Sequence, residues 1–116
     1  LIDMLRAAMG ELRMGNPADL ATDIGPVIDE AARGGLEGHI AHMRQAGHRV
    51  HQVSVPLTCG RGCFVPPTLI EIDRLDQLGR EVFGPVVHVL RFAARDMLAV
   101  VDAMGLGDPS RPFVVE

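Results

Sequence analysis

Three groups of residues in this sequence are of types that do chemistry. Glu81-Val82-Phe83-Gly84-Pro85 places a carboxylate and an aromatic ring two residues apart. On an extended segment such residues point to the same side, and Gly84-Pro85 supplies a fixed turn to aim them, a geometry that suits one ligand. The second group is a thiol, Cys63, within Gly60-Arg61-Gly62-Cys63. The neighbouring sequence offers it no base that would lower a thiol pKa from its usual ~8.5, so the expectation is an ordinary reduced thiol. The third is the histidine series His39, His42, His48 and His51. His39 and His42 are three apart, a helical spacing that can hold a metal, but no H-E-x-x-H pattern or third carboxylate ligand accompanies them. They read as solvent-facing histidines, and no metal is expected. Glu81 and Phe83 also have plainer readings: a surface carboxylate paired with Arg80 or Arg91, and a core aromatic.

The composition limits what these groups can belong to. A chain of 116 residues with 47% hydrophobic and 22% charged residues is a one-domain globular composition, too apolar to be disordered. Fifteen acidic residues against 11 basic ones give a net charge of −4, the wrong sign for a nucleic-acid footprint. No apolar run approaches the ~20 residues needed to cross a bilayer, and Leu1-Ile2-Asp3-Met4-Leu5-Arg6 lacks the pattern of an export signal. Cys59 and Cys63, spaced C-x3-C, are too few for a disulfide scaffold; reduced thiols and a cytoplasmic setting follow. Trp and Tyr are absent, leaving Phe64, Phe83, Phe92 and Phe113 as the only rings other than histidine.

The elements that must position these residues alternate between helix and strand. Leu1, Leu5, Ala8 and Leu12 share one face of a helix over 1–14, buried along that stripe. It begins without a capping residue, as the remainder of a longer helix would, and Gly15-Asn16-Pro17 stops it. Residues 18–28 read as loop. A second helix over 29–46 has Asp29 as N-cap, Glu30 in its first turn and Gly47 just past its end. Its apolar stripe is Ala32, Leu36, Ile40 and Met43. Gly34, Gly35 and Gly38 each cost about 1 kcal/mol relative to Ala, so tertiary packing must hold it. A short strand follows over 48–55, then a turn over 59–62 and an extended run over 64–72. Pro66-Pro67 fit the edge of a sheet or the start of a strand better than a central ladder. A helical turn is placed at 75–78. Residues 86–92 form the strongest strand, nearly continuous in β-branched residues and expected to be covered on both faces. A last helix over 96–104 turns Met97, Val100, Val101 and Met104 inward. Met4, Met9, Met14 and Met43 read as packing. The order α, α, β, β, β, α is an α/β unit, with no internal repeat.

With the elements in place, Arg80-Glu81-Val82-Phe83-Gly84-Pro85-Val86 resembles the E-x-F-G-P-V signature of the aldehyde dehydrogenase superfamily. Gly62-Cys63-Phe64-Val65-Pro66-Pro67-Thr68-Leu69 resembles its G-x-F-x-x-P-T strand. Gly15-Asn16-Pro17 and Asp23-Ile24-Gly25-Pro26-Val27-Ile28 are similar to its G-N-P and G-P-[LIV]-I elements, in the same order. The detail of 9–17 and 22–29 is most similar to the L-glutamate γ-semialdehyde (1-pyrroline-5-carboxylate) dehydrogenase part of the bacterial bifunctional proline utilization flavoenzymes. The resemblance covers residues 1–104. It implies a partial three-layer α/β fold, a fragment of a dehydrogenase catalytic domain with helices on a small, mostly parallel sheet. Residues 105–116 depart from the family pattern, which passes there through an Asn and a Tyr-Gly-Leu stretch.

The resemblance implies an activity as well: NAD-dependent oxidation of an aldehyde to a carboxylate through a cysteine thioester. In the family the Glu of the signature accepts hydrogen bonds from the nicotinamide ribose hydroxyls and the Phe packs near the nicotinamide ring. These roles fall on Glu81 and Phe83. Gly60-Arg61-Gly62-Cys63 superficially resembles the family's G-Q-x-C nucleophile motif, but Cys63 lies inside the G-x-F-x-x-P-T match, and the family's nucleophile, general base, oxyanion Asn and pyrophosphate loop all precede the first helix of this chain. No catalytic residue is therefore assigned.

Three readings follow: a portion of an NAD-dependent semialdehyde dehydrogenase of proline catabolism acting on a small-molecule substrate, inactive by itself; a stand-alone structural or oligomerisation module on the same scaffold; and an unrelated α/β small-ligand binder. The first expects exposed apolar surface on the helix at 1–14 and along 86–92, with self-association through it.

Overall fold

The computed structural model describes residues 1–79 and 81–105. The expected tail at 105–116 lies, apart from Gly105, outside the described residues. Helix α1 spans Ile2–Glu11, α2 Glu30–Gln45 and α3 Met97–Ala103; strands β1, β2 and β3 span Arg49–Gln52, Thr68–Ile72 and Val86–Leu90. Single 3-10 turns lie at Leu57–Cys59, Leu75–Leu78 and Ala94–Asp96. The order α, α, β, β, β, α is the one expected.

Helix α2 is built as its sequence requires. Asp29 is extended, and its Oδ1 accepts the Ala32 backbone N–H at 2.7 Å, which satisfies one of the orphan donors of the first turn. Gly47 takes a φ of 90° just past the end of the helix, a conformation glycine adopts without steric cost. Asp29→Ala should cost about 1 kcal/mol, read as a lower urea midpoint at unchanged m-value.

The apolar stripe of α2 covers one face of the sheet. Leu36, Ile40 and Met43 pack with Val65, Ile70 and Ile72 into the main core, flanked by the half-buried Val50, Val82, Val86 and Leu90. Alternation along the strands explains the membership: Val50 pairs with Ile70 across β1 and β2, and Ile70 with His88 across β2 and β3, so these three side chains share the α2 side. Arg49, His51, Glu71 and Val89 occupy the opposite face.

Several expectations are corrected. The sheet is mixed, in the order β1-β2-β3, with β1 antiparallel to β2 and β2 parallel to β3. The two orientations follow from the connections: β2 reaches β3 by a crossover over 73–85, of the length a parallel pair needs. The central strand is β2, not the β-branched run at 86–92. Val87 on β3 is 47% exposed, because β3 ends the sheet among the described residues and finds cover mainly on the α2 side. Pro66 and Pro67 do mark the start of a strand: they precede Thr68, the first ladder residue, and so cost it no hydrogen bond. Helix α1 buries none of its residues, so its apolar stripe meets no closed core here. In α3, Val100 and Val101 are half-buried as expected, while Met97 and Met104 are exposed; a seven-residue helix docked by little more than its preceding turn has no surface on which to bury both edges.

Candidate functional site

The segments that resemble family signatures are joined to one another by backbone hydrogen bonds. The Arg13 backbone N–H donates to Asp23 Oδ2 at 2.9 Å, and the Arg13 carbonyl accepts from the N–H groups of Asp23 and Ile24. Gly15 N–H donates to the Ile24 carbonyl at 3.0 Å. A Cβ on Gly25 would stand 2.9 Å from Pro17 Cγ, so the Gly-Pro of one element is shaped to the Asn-Pro of the other. From this closed loop Val27 N–H reaches the Cys63 carbonyl at 2.8 Å. The ring of Phe64 folds over Gly62, where a Cβ would stand 2.5 Å from Phe64 Cε2; this explains the small residue two before the ring.

Thr68 carries the link onward. Fully buried, it donates its N–H to the Pro85 carbonyl at 2.9 Å and its hydroxyl to the Pro66 carbonyl at 2.8 Å, while its Oγ1 accepts from Gln52 Nε2 at 3.2 Å. Its polar groups are thereby satisfied, as burial demands. The Thr68–Pro85 bond holds the Gly84-Pro85 turn beside β2.

Glu81, Val82 and Phe83 approach that turn outside any helix or strand. Val82 is half-buried against the core; Glu81 and Phe83, on either side of it, are exposed, Phe83 by 74%. The expected alternation is present: one residue anchors the segment and the other two face outward, which corrects the reading of Phe83 as a core aromatic. Gly84, at φ 151°, lies directly on Leu36 of α2, where a Cβ would stand 2.6 Å from Leu36 Cδ1. Arg80 lies outside the described residues. Arg91 approaches Glu71 Oε2 at 3.9 Å.

Cys63 is no activated thiol. Its Sγ lies 3.4 Å from Oε2 of Glu30, and donation to that carboxylate, followed by burial, pushes the thiol up from its ordinary value against the opposing pull of Arg33. Glu30 also pairs with Arg33 at 2.6 Å. Cys59 is buried, and neither cysteine is in a disulfide. This agrees with the ordinary thiol expected.

The histidines are not uniformly solvent-facing. His39 and His88 are both half-buried, with Nε2 atoms 2.9 Å apart and rings meeting edge to face. His51 Nε2 lies 3.1 Å from Glu71 Oε1 on the opposite sheet face. His42 is exposed. Among the described residues no group of three or more ligating side chains could hold a metal. The His39–His88 contact escaped sequence reasoning because its partners lie 49 residues apart; the signal for one half of it was His88 in phase with Val86 and Leu90.

Comparison with known proteins places these segments in a family. The profile of the aldehyde dehydrogenase family matches residues 1–107. The bifunctional protein PutA of Klebsiella aerogenes is 48% identical over 106 residues, which is 87% of this chain and 8% of that protein. A crystal structure of a point variant of proline utilization A from Bradyrhizobium japonicum superposes with a TM-score of 0.79 at 40% identity, over 90% of this chain and 10% of that one. Mycobacterium tuberculosis aldehyde dehydrogenase complexed with NAD+ gives 0.74 at 28% identity, over 85% and 21%. The chain thus spans about a tenth of the bifunctional proteins it matches. Its helices and small mixed sheet are an α/β piece of the aldehyde dehydrogenase fold, and the chain belongs to the aldehyde dehydrogenase family.

Proposed function

We propose that this chain is the nicotinamide-ribose and ring-contacting portion of an NAD-dependent aldehyde dehydrogenase that oxidises L-glutamate γ-semialdehyde to glutamate in proline catabolism, in the cytoplasm, and that the chain by itself does not turn over substrate. The observation that carries the reading is the outward pair Glu81 and Phe83 flanking the buried Val82. An ionised carboxylate only accepts hydrogen bonds, and a vicinal diol offers it two donors. The face of a phenyl ring suits a flat heteroaromatic ring. The residues present therefore fit the nicotinamide riboside half of NAD: Glu81 would hold the ribose hydroxyls and Phe83 the nicotinamide. When bound, NAD supplies the hydride acceptor. The chain's own part is to hold and orient it.

Two further observations support the reading. Cys63 is held as a thiol by Glu30, the reverse of what a nucleophile needs. Leu1, Met4, Leu12, Val87 and Phe92 are exposed, on the two stretches where a portion of a larger catalytic domain would present apolar surface. The same surface favours self-association of the isolated chain over a stand-alone module.

The test uses ligand halves. Nicotinamide riboside at millimolar concentration should shift the amide signals of Glu81–Phe83 while AMP leaves them unmoved, and Glu81→Ala should abolish the response. Equal responses to both halves, or none to the riboside, would overturn the assignment. Mixed with aldehyde and NAD, the chain should produce no NADH; turnover lost in Cys63→Ser would refute the inactive reading.

A further inference from the structure

Strand β1 borders the sheet, and the direction of its peptide groups can be read from two hydrogen bonds. Val53 N–H donates to the Pro67 carbonyl at 3.1 Å, which makes 53 and 67 a bonded pair. Bonded and non-bonded pairs alternate along an antiparallel ladder. His51 with Leu69 and Arg49 with Glu71 are therefore bonded pairs too, whereas Gln52 faces Thr68 in a non-bonded one. Thr68 agrees, since its N–H turns away from β1 to the Pro85 carbonyl. The N–H and C=O groups of Val50, Gln52 and Ser54 thus point out of the sheet, and among the described residues they meet no backbone partner.

The edge is open and unguarded. Natural edges are blunted by proline, charge or a bulge; here the charge and the proline stand only at the two ends, Arg49 and Pro56, with no Asp, Glu, Lys, Arg or Pro between them. Beside 50–54 lies a cleft of about 710 Å³ whose opposite wall is α1, with Asp3, Ala7 and Met9 among its residues. An incoming strand would find a ladder to bond and room for its side chains.

We propose that β1 is a docking edge for β1 of a second copy of this chain, paired antiparallel about a two-fold axis at Gln52. Such a contact is isologous and closes on itself.

The sequence around β1 selects this register. With Gln52 opposite the partner's Gln52, Val50 meets the partner's Ser54 and His51 meets the partner's Val53. All outward residues of both copies are then used, in three bonded pairs that each exchange two N–H···O bonds. Moving the axis one residue back sets His51 against the partner's His51, a like pair. It also spends Ser54 on His48, whose N–H is already given to the Met43 carbonyl at 3.1 Å. Moving it one residue forward sets Val50 against Pro56, which has no N–H to donate. In the favoured register, directly opposed residues share a face, so the partner's His51 and Val53 arrive on the side of His51, which lines the cleft. There Asp3 suits an imidazole, and Ala7 and Met9 suit a valine. Contact through the exposed apolar stripes of α1 would fix no such register.

The experiment is sedimentation equilibrium of the chain from micromolar to millimolar concentration, which should show a monomer–dimer equilibrium, weak as small interfaces are. In a mixture of labelled and unlabelled chain, an isotope-filtered NOE should join Hα of His51 to Hα of the partner's Val53, the close approach of a non-bonded antiparallel pair. Gln52→Pro removes an outward N–H and leaves the β1–β2 ladder whole. It should weaken the dimer about tenfold or more, because two intermolecular bonds are lost. Gln52→Ala loses the side-chain bond to Thr68 but keeps the backbone N–H, and should dimerise as the wild type does. A monomer at millimolar concentration would overturn the proposal, whether the edge then faces water or is covered by residues 106–116, which lie outside the described residues. So would a dimer unmoved by Gln52→Pro, which would place the contact on the apolar stripes, or NOEs in another register. If Gln52→Pro does not fold, Ser54→Pro removes the next outward N–H, and the wild-type NOE decides by itself. No NAD is present, so failure of the cofactor assignment cannot be mistaken for failure of the docking edge.

Discussion

Gly84→Ala should destabilise the chain by about 3 kcal/mol, more than a surface glycine before a strand would ordinarily cost. Two penalties coincide at this position. The backbone sits at φ 151°, a region that residues with a Cβ rarely occupy, at a cost of about 1–3 kcal/mol. The added methyl would also stand 2.6 and 2.9 Å from the two Leu36 methyls. Leu36 is itself buried in the core with Ile40 and Met43, so it cannot withdraw without disturbing α2. The two causes separate in a double-mutant cycle. In a Leu36→Ala background, already weakened by about 2–5 kcal/mol, the steric part disappears and only the backbone part, about 1–2 kcal/mol, is left. Urea midpoints at constant m-value read both quantities. Equal costs in the two backgrounds would mean that the Gly84–Leu36 contact does not hold the loop, and the positioning of Glu81 and Phe83 would need another explanation.

That contact also marks where the sequence stopped being informative. The helix α2 was legible to within a residue at either end because its signals are local: Asp29 before it, Gly47 after it and an apolar residue on every turn between. The pairing of Glu81 with Phe83 was legible for the same reason, since two-residue alternation is a property of the backbone. What α2 does for that pair was not legible. Leu36 reaches Gly84 across 48 residues and His39 reaches His88 across 49, and neither end of either contact announces the other. The histidine series shows the cost: spacing along the helix compared His39 with His42, whereas the fold pairs His39 with a strand residue. Nor does the sequence rank the strands. A β-branched run reports a preference for extended backbone, while burial depends on which strand has a neighbour on each side, and that is settled by connections and pairing.

Ile70→Ala and Val87→Ala separate these two properties. Ile70 lies on β2, fully buried, with Val50 beside it on β1, His88 on β3 and the α2 stripe above. Its truncation removes apolar contact on every side and leaves a cavity that two hydrogen-bonded neighbouring strands prevent from closing. The expected loss is about 3 kcal/mol, within the range for Ile→Ala in cores. For a domain whose whole stability is of order 5–15 kcal/mol, that is enough to populate unfolded chain on mild warming. Val87 sits in the stretch with the densest β-branched pattern in the sequence, yet it is half exposed on the strand that ends the described sheet. Its truncation should cost no more than about 0.5 kcal/mol, the scale of surface substitutions. Thermal and urea unfolding of the two variants decide the matter together. Similar losses would restore β3 as a strand covered on both faces, whereas a several-fold larger loss at Ile70 establishes β2 as the strand on which α2, the Thr68–Pro85 link and the loop carrying Glu81 and Phe83 are assembled.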